Sequence, residues 1–198
     1  MFKMPALRQG PKGFEGYFGG QKQGEQGEGT PGFKVTCITA DCLLPDDLAQ
    51  IEEVRRAALT EYISATGNEL EVPTFAEELL QVPAGMELSD RLVLRAFDGE
   101  DLAGYIQVLT EWPEHDEWSI EQLVLDPAYH LHGVGSTLVS SVENLARTAE
   151  ARAASIFSIP SRPTSPSFWC HMGYADKTGE FEGHLGGSTY CSILRKEL

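Results

Sequence analysis

The chain has 198 residues, of which 41% are hydrophobic, and its formal net charge at pH 7 is −15 with an isoelectric point near 4.6. That length allows one folded domain with an appendage, and that hydrophobic fraction is enough for a buried core. A surface this acidic repels nucleic acid and anionic membranes, and the sequence has no run of about 18 apolar residues that would cross a bilayer. Nucleic acid and membranes are therefore excluded as expected partners.

Residues 1–32 differ in composition from the rest of the chain. They contain nine glycines between Gly10 and Gly32, together with repeated glutamines. Such a segment cannot bury enough apolar area to offset the entropy lost on ordering, which predicts an extended tail before one domain at 33–198. Three aromatics, Phe14, Tyr17 and Phe18, lie within five residues. We therefore expect the tail to dock on another subunit or a larger assembly.

The four cysteines have no spacing typical of a metal site; they are Cys37, Cys42, Cys170 and Cys191. Unpaired cysteines suit a reducing compartment. The first residues lack the apolar run of a secretion signal. We therefore expect a cytoplasmic protein without a bound metal ion.

The domain is predicted to contain eleven elements in the order β-α-α-β-β-β-α-β-α-β-β. Strands are predicted at 33–39, 91–97, 102–109, 117–125 and 154–159, after Gly173-Tyr174, and at 188–194. Helices are predicted at 45–65, 74–81, 134–151 and 164–172. Because strands and helices alternate only around the fourth and fifth strands, the sheet is predicted to be mixed rather than all parallel.

The chain is organised around the junction between the fourth strand and the long helix. Asp126-Pro127 ends an apolar strand, and Gly133-Val134-Gly135 comes at the start of the helical pattern. The first amides of a helix have no partner inside it, and glycine lets an anion approach the backbone. The third glycine of a dinucleotide fold and the lysine of a P-loop are both missing. From the glycines alone, an anion site and a packed turn without a ligand both stay open.

This junction resembles motif A of the GNAT acyltransferase superfamily, which reads Gln/Arg-x-x-Gly-x-Gly/Ala after a strand end of the form Val-x-Pro-x-Tyr. Here His130-Leu131-His132-Gly133-Val134-Gly135 follows Leu125-Asp126-Pro127-Ala128-Tyr129. Residues 165–174 are similar to the family's Ala-x-x-x-Tyr-x-x-x-Gly-Phe segment. The resemblance implies an α/β (α+β) fold with a mostly antiparallel sheet of six to seven strands, helices on both faces, and a splay between the fourth and fifth strands.

The resemblance implies a CoA-dependent N-acetyltransferase. It would move an acetyl or other acyl group from acyl-CoA, usually acetyl-CoA, to an amine of a small molecule or of a basic protein segment. The diphosphate would bind the glycine turn, and the pantetheine arm would pair with the fourth strand near an amide able to hold an oxyanion. The implied cofactor-binding residues are Leu123, Val124, Leu125, His130, Leu131, His132, Gly133, Val134, Gly135, Ser136, Phe168 and Trp169.

The candidate catalytic residues follow from the same resemblance. Glu121 lies where some family members carry their general base, and we expect it on the side of Leu123 and Leu125 unless a bulge shifts the strand. The acidic loop at 114–117 is the alternative base. Trp169 stands where many members carry the tyrosine that protonates the departing thiolate, and an indole cannot serve as that acid. Tyr190 is our predicted substitute, with Cys170 and His171 as alternatives.

The first position of the motif differs from the family pattern, because it is His130 here and Gln or Arg in the family. Histidine is charged only near or below pH ~6.5, so we predict that CoA affinity falls as pH rises from about 6 to about 8. Candidates for contact with the nucleotide's outer phosphate are Arg147, Arg152 and Arg162.

Two functions stay open at this point. The intact Gly133-Val134-Gly135 favours an active N-acyltransferase, and the many acids of the first two helices favour a cationic acceptor. The missing tyrosine and the missing basic residues favour a catalytically weak or inactive GNAT-like domain. Such a domain would serve as a structural or binding component of a larger assembly, attached through its tail.

Overall fold

The computed structural model describes residues 32–67, 72–158, 166–181 and 191–198, and these form a seven-stranded sheet with helices on both faces. The strands are β1 (Lys34–Thr39), β2 (Arg91–Asp98), β3 (Asp101–Leu109), β4 (Glu117–Leu125), β5 (Ala153–Ser158), β6 (Ala175–Phe181) and β7 (Cys191–Glu197). The helices are α1 (Pro45–Thr66), α2 (Phe75–Leu79), α3 (Val134–Thr148) and α4 (Pro166–His171). The predicted element order is confirmed, whereas residues 1–31 of the tail predicted at 1–32 lie outside the described residues.

The strand order across the sheet is β1-β2-β3-β4-β5-β7-β6. Neighbouring strands are antiparallel except β4 and β5, which are parallel. Two parallel neighbours need a crossover connection, and α3 supplies it. The predicted mixed, mostly antiparallel sheet is therefore confirmed. The last strand is described from Cys191 onward, and its predicted start at 188 lies outside the described part of the chain.

The two faces of the sheet carry separate cores. On one face, α3 buries Leu138, Val139 and Val142, which pack with Trp169 and Tyr174 from α4 and the turn that follows it. On the other face, α1 and α2 bury Ile51, Val54 and Phe75, which pack on β3 through Tyr105. Within the described ranges, no helix combines the length and apolar character needed to span a bilayer.

Local sequence sets both ends of α1, whereas a contact with a distant residue sets the end of α2. Helix α1 begins at Pro45, where the Leu44 amide donates to Asp47 at 2.9 Å, and it ends at Gly67, whose φ of +70° is the left-handed cap conformation. Helix α2 ends at Leu79, two residues earlier than predicted. The buried Arg91 guanidinium donates hydrogen bonds to the carbonyl oxygens of Leu79 and Gln81 at 2.5 and 3.1 Å. Those carbonyls therefore point toward β2 instead of continuing the helix.

Candidate active site

The sheet opens between its two parallel strands. Pairing between β4 and β5 stops at Ile120 and Ile156, although β4 continues to Leu125 and β5 to Ser158. Over its last residues β5 remains paired only with β7 on its other side. We call this opening, between β4 residues 121–125 and β5 residues 157–158, the seam. The predicted splay is confirmed, and an extended ligand entering the seam would find backbone groups of β4 on its edge.

A β-bulge lies where the seam begins. Gln107 of β3 pairs with Gln122 and Val108 pairs with Ile120, so Glu121 is an extra residue without a partner of its own. A bulge breaks the alternation of side chains between the two faces. Leu123 and Leu125 pack on the α3 core, whereas Glu121 lies on the α1–α2 face. The bulge, and not simple alternation with Leu123 and Leu125, therefore sets the position of Glu121.

Three hydrogen bonds hold the Glu121 carboxylate. Arg91 donates from Nε to Oε2 at 2.7 Å and from Nη2 to Oε1 at 3.0 Å, and the Gln107 side-chain amide donates to Oε2 at 2.6 Å. The Arg91 side chain is 1% exposed and that of Glu121 is 23% exposed. Paired, charge-assisted bonds of this kind fix both position and orientation. Glu121 is thus a fixed carboxylate next to the start of the seam.

The turn before α3 leaves backbone amides available. Gly133 has a φ of +84° and directly precedes α3, and no side chain caps that helix. Leu131 also has a positive φ, of 64°, and its side chain is fully exposed. A Cβ added at Gly135 would lie 3.3 Å from Phe168 Cζ, so any other residue here would require the Phe168 ring to shift. Uncapped amides at the start of a 15-residue helix are suited to an anion such as a diphosphate.

Few positive charges surround this turn. His130 is about half exposed, with its Nδ1 3.5 Å from Glu61 Oε2, and His132 is exposed. Arg147 lies in the last turn of α3, about 18 Å along the helix from Gly135, and Arg152 lies beyond it in an ion pair with Asp116. Both arginines lie toward the far end of α3 from the turn, and their contact with the nucleotide stays a prediction. Arg162 lies outside the described residues.

The two residues of α4 that were predicted to bind the cofactor lie in different environments. Phe168 is half-buried and packs against Gly135 at the turn, whereas Trp169 is 3% exposed in the core. The Trp169 ring makes edge contacts with Phe168 and Tyr174, with centroid distances of 5.0 and 5.2 Å. Cys170 and His171 are exposed on the same helix. The predicted acid, Tyr190, lies outside the described residues.

A cavity of about 680 Å³ lies between α1 and the open end of β4, where Gln122 and Val124 form part of its wall. We call it the α1 cavity. Tyr105 donates to Gln122 Oε1 at 3.1 Å, and the Gln122 amide donates to Glu78. Arg55 donates to Glu78 Oε2 at 2.5 Å. Burial raises the pKa of Tyr105 far above neutral, so its hydroxyl remains a donor and fixes the Gln122 amide.

This polar set is not apparent from the sequence. Its members come from α1, α2, β3 and β4, and no short motif contains them. The one local sign is Gln122, a polar residue within an otherwise apolar strand end. Among the residues that the structure describes, no three His, Cys, Asp or Glu side chains form a group that could hold a metal ion.

Comparisons with known proteins give one family and one fold. A sequence model described as Acetyltransferase (GNAT) family matches residues 51–174. The acetyltransferase of Thermus thermophilus is 17% identical with a TM-score of 0.59, covering 83% of this chain and 97% of that one. No curated protein matches this chain in sequence.

Two further solved structures share the fold. The paia N-acetyltransferase of Thermoplasma acidophilum, in complex with coenzyme A, is 17% identical with a TM-score of 0.56, covering 83% of this chain and 99% of that one. The ribosomal-protein-S18-alanine N-acetyltransferase of Escherichia coli is 13% identical with a TM-score of 0.57, covering 82% and 93%. At these identities the likeness establishes the fold alone.

Proposed function

The chain belongs to the acetyltransferase (GNAT) family, and from that premise we propose that it transfers an acetyl group from acetyl-CoA to an amine. The observation that carries the proposal is the seam, which opens at Ile120 and Ile156 beside the uncapped start of α3. These two features offer an edge for an extended thioester arm and amides for a diphosphate. The coenzyme A bound to the Thermoplasma relative supports the same donor class here.

In this proposal, the residues that hold the donor come from β4, the turn and α3. The diphosphate lies on amides of the turn and of the first turn of α3, from Leu131 to Ser136, with Phe168 packed beside Gly135. The arm lies along Leu123 to Leu125 in the seam. Acetyl-CoA supplies an activated thioester, and a backbone amide near Val124 stabilises negative charge on its carbonyl oxygen.

The acceptor reacts from the α1–α2 face. Its neutral nitrogen attacks the thioester carbonyl, which forms a C–N bond, breaks the C–S bond and releases the CoA thiolate. The proton of the amine passes, directly or through a water molecule, to the carboxylate of Glu121, which is fixed at the start of the seam. The thiolate then takes its proton from solvent or from Tyr190, because Trp169 has no acidic group to offer.

Thiol release from acetyl-CoA in the presence of a panel of amines tests the proposal. We expect turnover by the full chain and its loss in Gly135→Glu, which places a carboxylate and its side chain against Phe168 and the anion site. Acetyl-CoA binding, measured by calorimetry, should be lost in the same variant. Binding of acetyl-CoA without turnover of any amine would instead support a structural or binding role for the domain.

A further inference from the structure

The α1 cavity has mostly apolar walls. Half of the twelve lining residues are apolar or aromatic and contribute most of the exposed wall; they come from α1, the segment before α2 and the end of β4, namely Ala49, Ala58, Leu59, Tyr62, Val72 and Val124. Leu59 and Tyr62 are only half-buried, although they lie on the face of α1 that is turned toward the sheet. A wall of this composition binds hydrocarbon and disfavours charge or unpaired polar groups.

The charges of the cavity nearly cancel. The described lining has three carboxylates, Glu52, Glu53 and Glu78, and two guanidinium groups, Arg55 and Arg56. Arg55 pairs with Glu78 at 2.5 Å, and Arg56 lies 3.9 Å from Glu53. Three carboxylates against two guanidinium groups leave one excess negative charge. The carboxylate outside these two pairs is Glu52, which accepts a hydrogen bond from the Phe75 amide at 2.8 Å, so the described lining keeps little negative charge for a second ammonium group.

The polar groups stand at one end of the cavity. Glu78 is 8% exposed and hydrogen-bonded to Gln122, and Gln122 belongs to the part of β4 that borders the seam. An acceptor nitrogen must reach this end to meet the thioester, so the rest of the acceptor lies along the apolar wall. The cavity thus separates a polar end at the seam from an apolar remainder.

We propose that the acceptor is a primary monoamine with an apolar body, aliphatic or aromatic, and not a polyamine or a peptide. This inference rests on the proposed acyl transfer and specifies its second substrate. Leu59, Tyr62 and Val124 determine the specificity through contact with the apolar body, while Glu78 and Gln122 form the polar end that receives the nitrogen.

A matched pair of amines tests the inference on the unaltered protein. Hexylamine and 1,6-diaminohexane have the same carbon chain, but the diamine carries a second ammonium group into the apolar wall. We expect kcat/KM for hexylamine to be at least about tenfold higher, after a factor of two for the two equivalent nitrogens. From butylamine to hexylamine, each added methylene should raise kcat/KM by about fourfold.

A matched pair of variants tests the wall itself. Leu59→Asp places a carboxylate in the cavity, whereas Thr60→Asp places the same charge one residue later, on the side of α1 that lines a different cavity. Leu59→Asp should reverse the preference toward the diamine, and Thr60→Asp should leave the hexylamine-to-diamine ratio within about twofold of the unaltered protein. Thermal unfolding of both variants shows whether each remains folded.

The outcomes separate the two proposals. Higher kcat/KM for diamines or for peptides than for hexylamine would overturn the monoamine inference and leave acyl transfer standing. A flat response to chain length would overturn the role of the apolar wall in the same way. Turnover of no amine by a chain that binds acetyl-CoA would overturn both. If Leu59→Asp does not fold, the amine series on the unaltered protein still decides.

Discussion

At the residue scale, the most constrained pair near the proposed site is Arg91 with Glu121. The guanidinium is almost fully buried and also donates hydrogen bonds to two carbonyl oxygens at the end of α2. It therefore connects β2, α2 and the bulge of β4. A charge held this way needs its partner, because an unpaired buried guanidinium is strongly unfavourable. Glu121 therefore has a structural role whatever its part in proton transfer, and its test must separate the two.

We predict that Glu121→Gln lowers both stability and activity. Loss of the anion beside Arg91 should cost about 2–3 kcal/mol, below the fully buried range because Glu121 is 23% exposed, which corresponds to roughly 5–10 °C in Tm. The matched control is Glu143→Gln, since Glu143 of α3 pairs with Lys196 at 2.8 Å and belongs to no candidate catalytic set. Both variants should lose stability in thermal unfolding, but only Glu121→Gln should lower kcat by more than about tenfold. Equal kcat in the two variants would assign Glu121 a structural role only.

Cysteine reactivity gives a second prediction at this scale. Burial raises the pKa of the Cys37 thiol to about 11, so at pH 8 it is almost entirely protonated, and the thiolate is the nucleophile. Cys42 and Cys170 are exposed. We expect iodoacetamide at pH 8 to label Cys37 roughly a hundredfold more slowly than Cys42 or Cys170, as followed by mass spectrometry of peptides. The rate at Cys37 should rise as pH increases toward 11; similar early labelling of all three would contradict the raised pKa.

At the element scale, the position of helix α3 relative to the end of β4 sets the geometry of the proposed donor site. Its buried stripe, with Leu138 and Val142 fully covered, fixes it on the sheet, and its N-terminus faces the turn that follows β4. The bulge in β4 and the start of α3 therefore lie at the two ends of the same strand segment, 121–125. Because the strand is short, the thioester arm and the diphosphate of one ligand can be held at once.

Gly133 allows a test of this element that is independent of stability. Gly133 and Gly85 both have left-handed φ values, +84° and +88°, and an added Cβ meets no atom within 4 Å at either position. Alanine at each should therefore cost a similar 1–2 kcal/mol, roughly. Only Gly133→Ala alters the turn beside the α3 amides, so we expect its Kd for CoA to rise at least about tenfold in calorimetry. An unchanged Kd in Gly133→Ala, or an equal rise in Gly85→Ala, would contradict an anion site at this turn.

At the scale of the whole molecule, the sheet separates the two proposed substrates. The α3 side presents the turn for the donor, and the α1–α2 side presents the α1 cavity for the acceptor, so the two meet only through the seam. The surface as a whole carries a formal charge of −15. Such a field attracts cationic amines and repels the phosphates of CoA, and added salt weakens both effects.

Added salt should therefore weaken the binding of a cationic amine and speed the association of CoA. Raising ionic strength from about 0.02 to about 0.3 M should raise KM for a cationic amine and should raise the association rate of CoA, each by roughly two- to threefold. Steady-state kinetics and stopped-flow binding measure the two quantities. The control is the same ionic-strength series with the acceptor fixed at saturation, where kcat should stay constant. A fall in the CoA association rate with salt would show that local positive charge outweighs the acidic surface.

The sequence by itself determined the element order, the end of α1 before Gly67 and the glycine turn before α3. These depend on apolar periodicity and on glycine conformation, which are local properties of the chain. The half-buried place of Phe168 beside the turn and the buried place of Trp169 could not be told apart from sequence, because both are aromatic and adjacent.

Only the tertiary structure decided on which face Glu121 lies and which side chains line the α1 cavity. A bulge depends on how two strands pair, so the side-chain alternation of β4 alone could not show it. The contact of Gln122 with Glu78 joins residues 44 apart in sequence, and Arg55 and Tyr105 join them from two further elements. Periodicity records which side chains are buried, whereas the partners that meet in a buried cluster are set by the packing of distant segments.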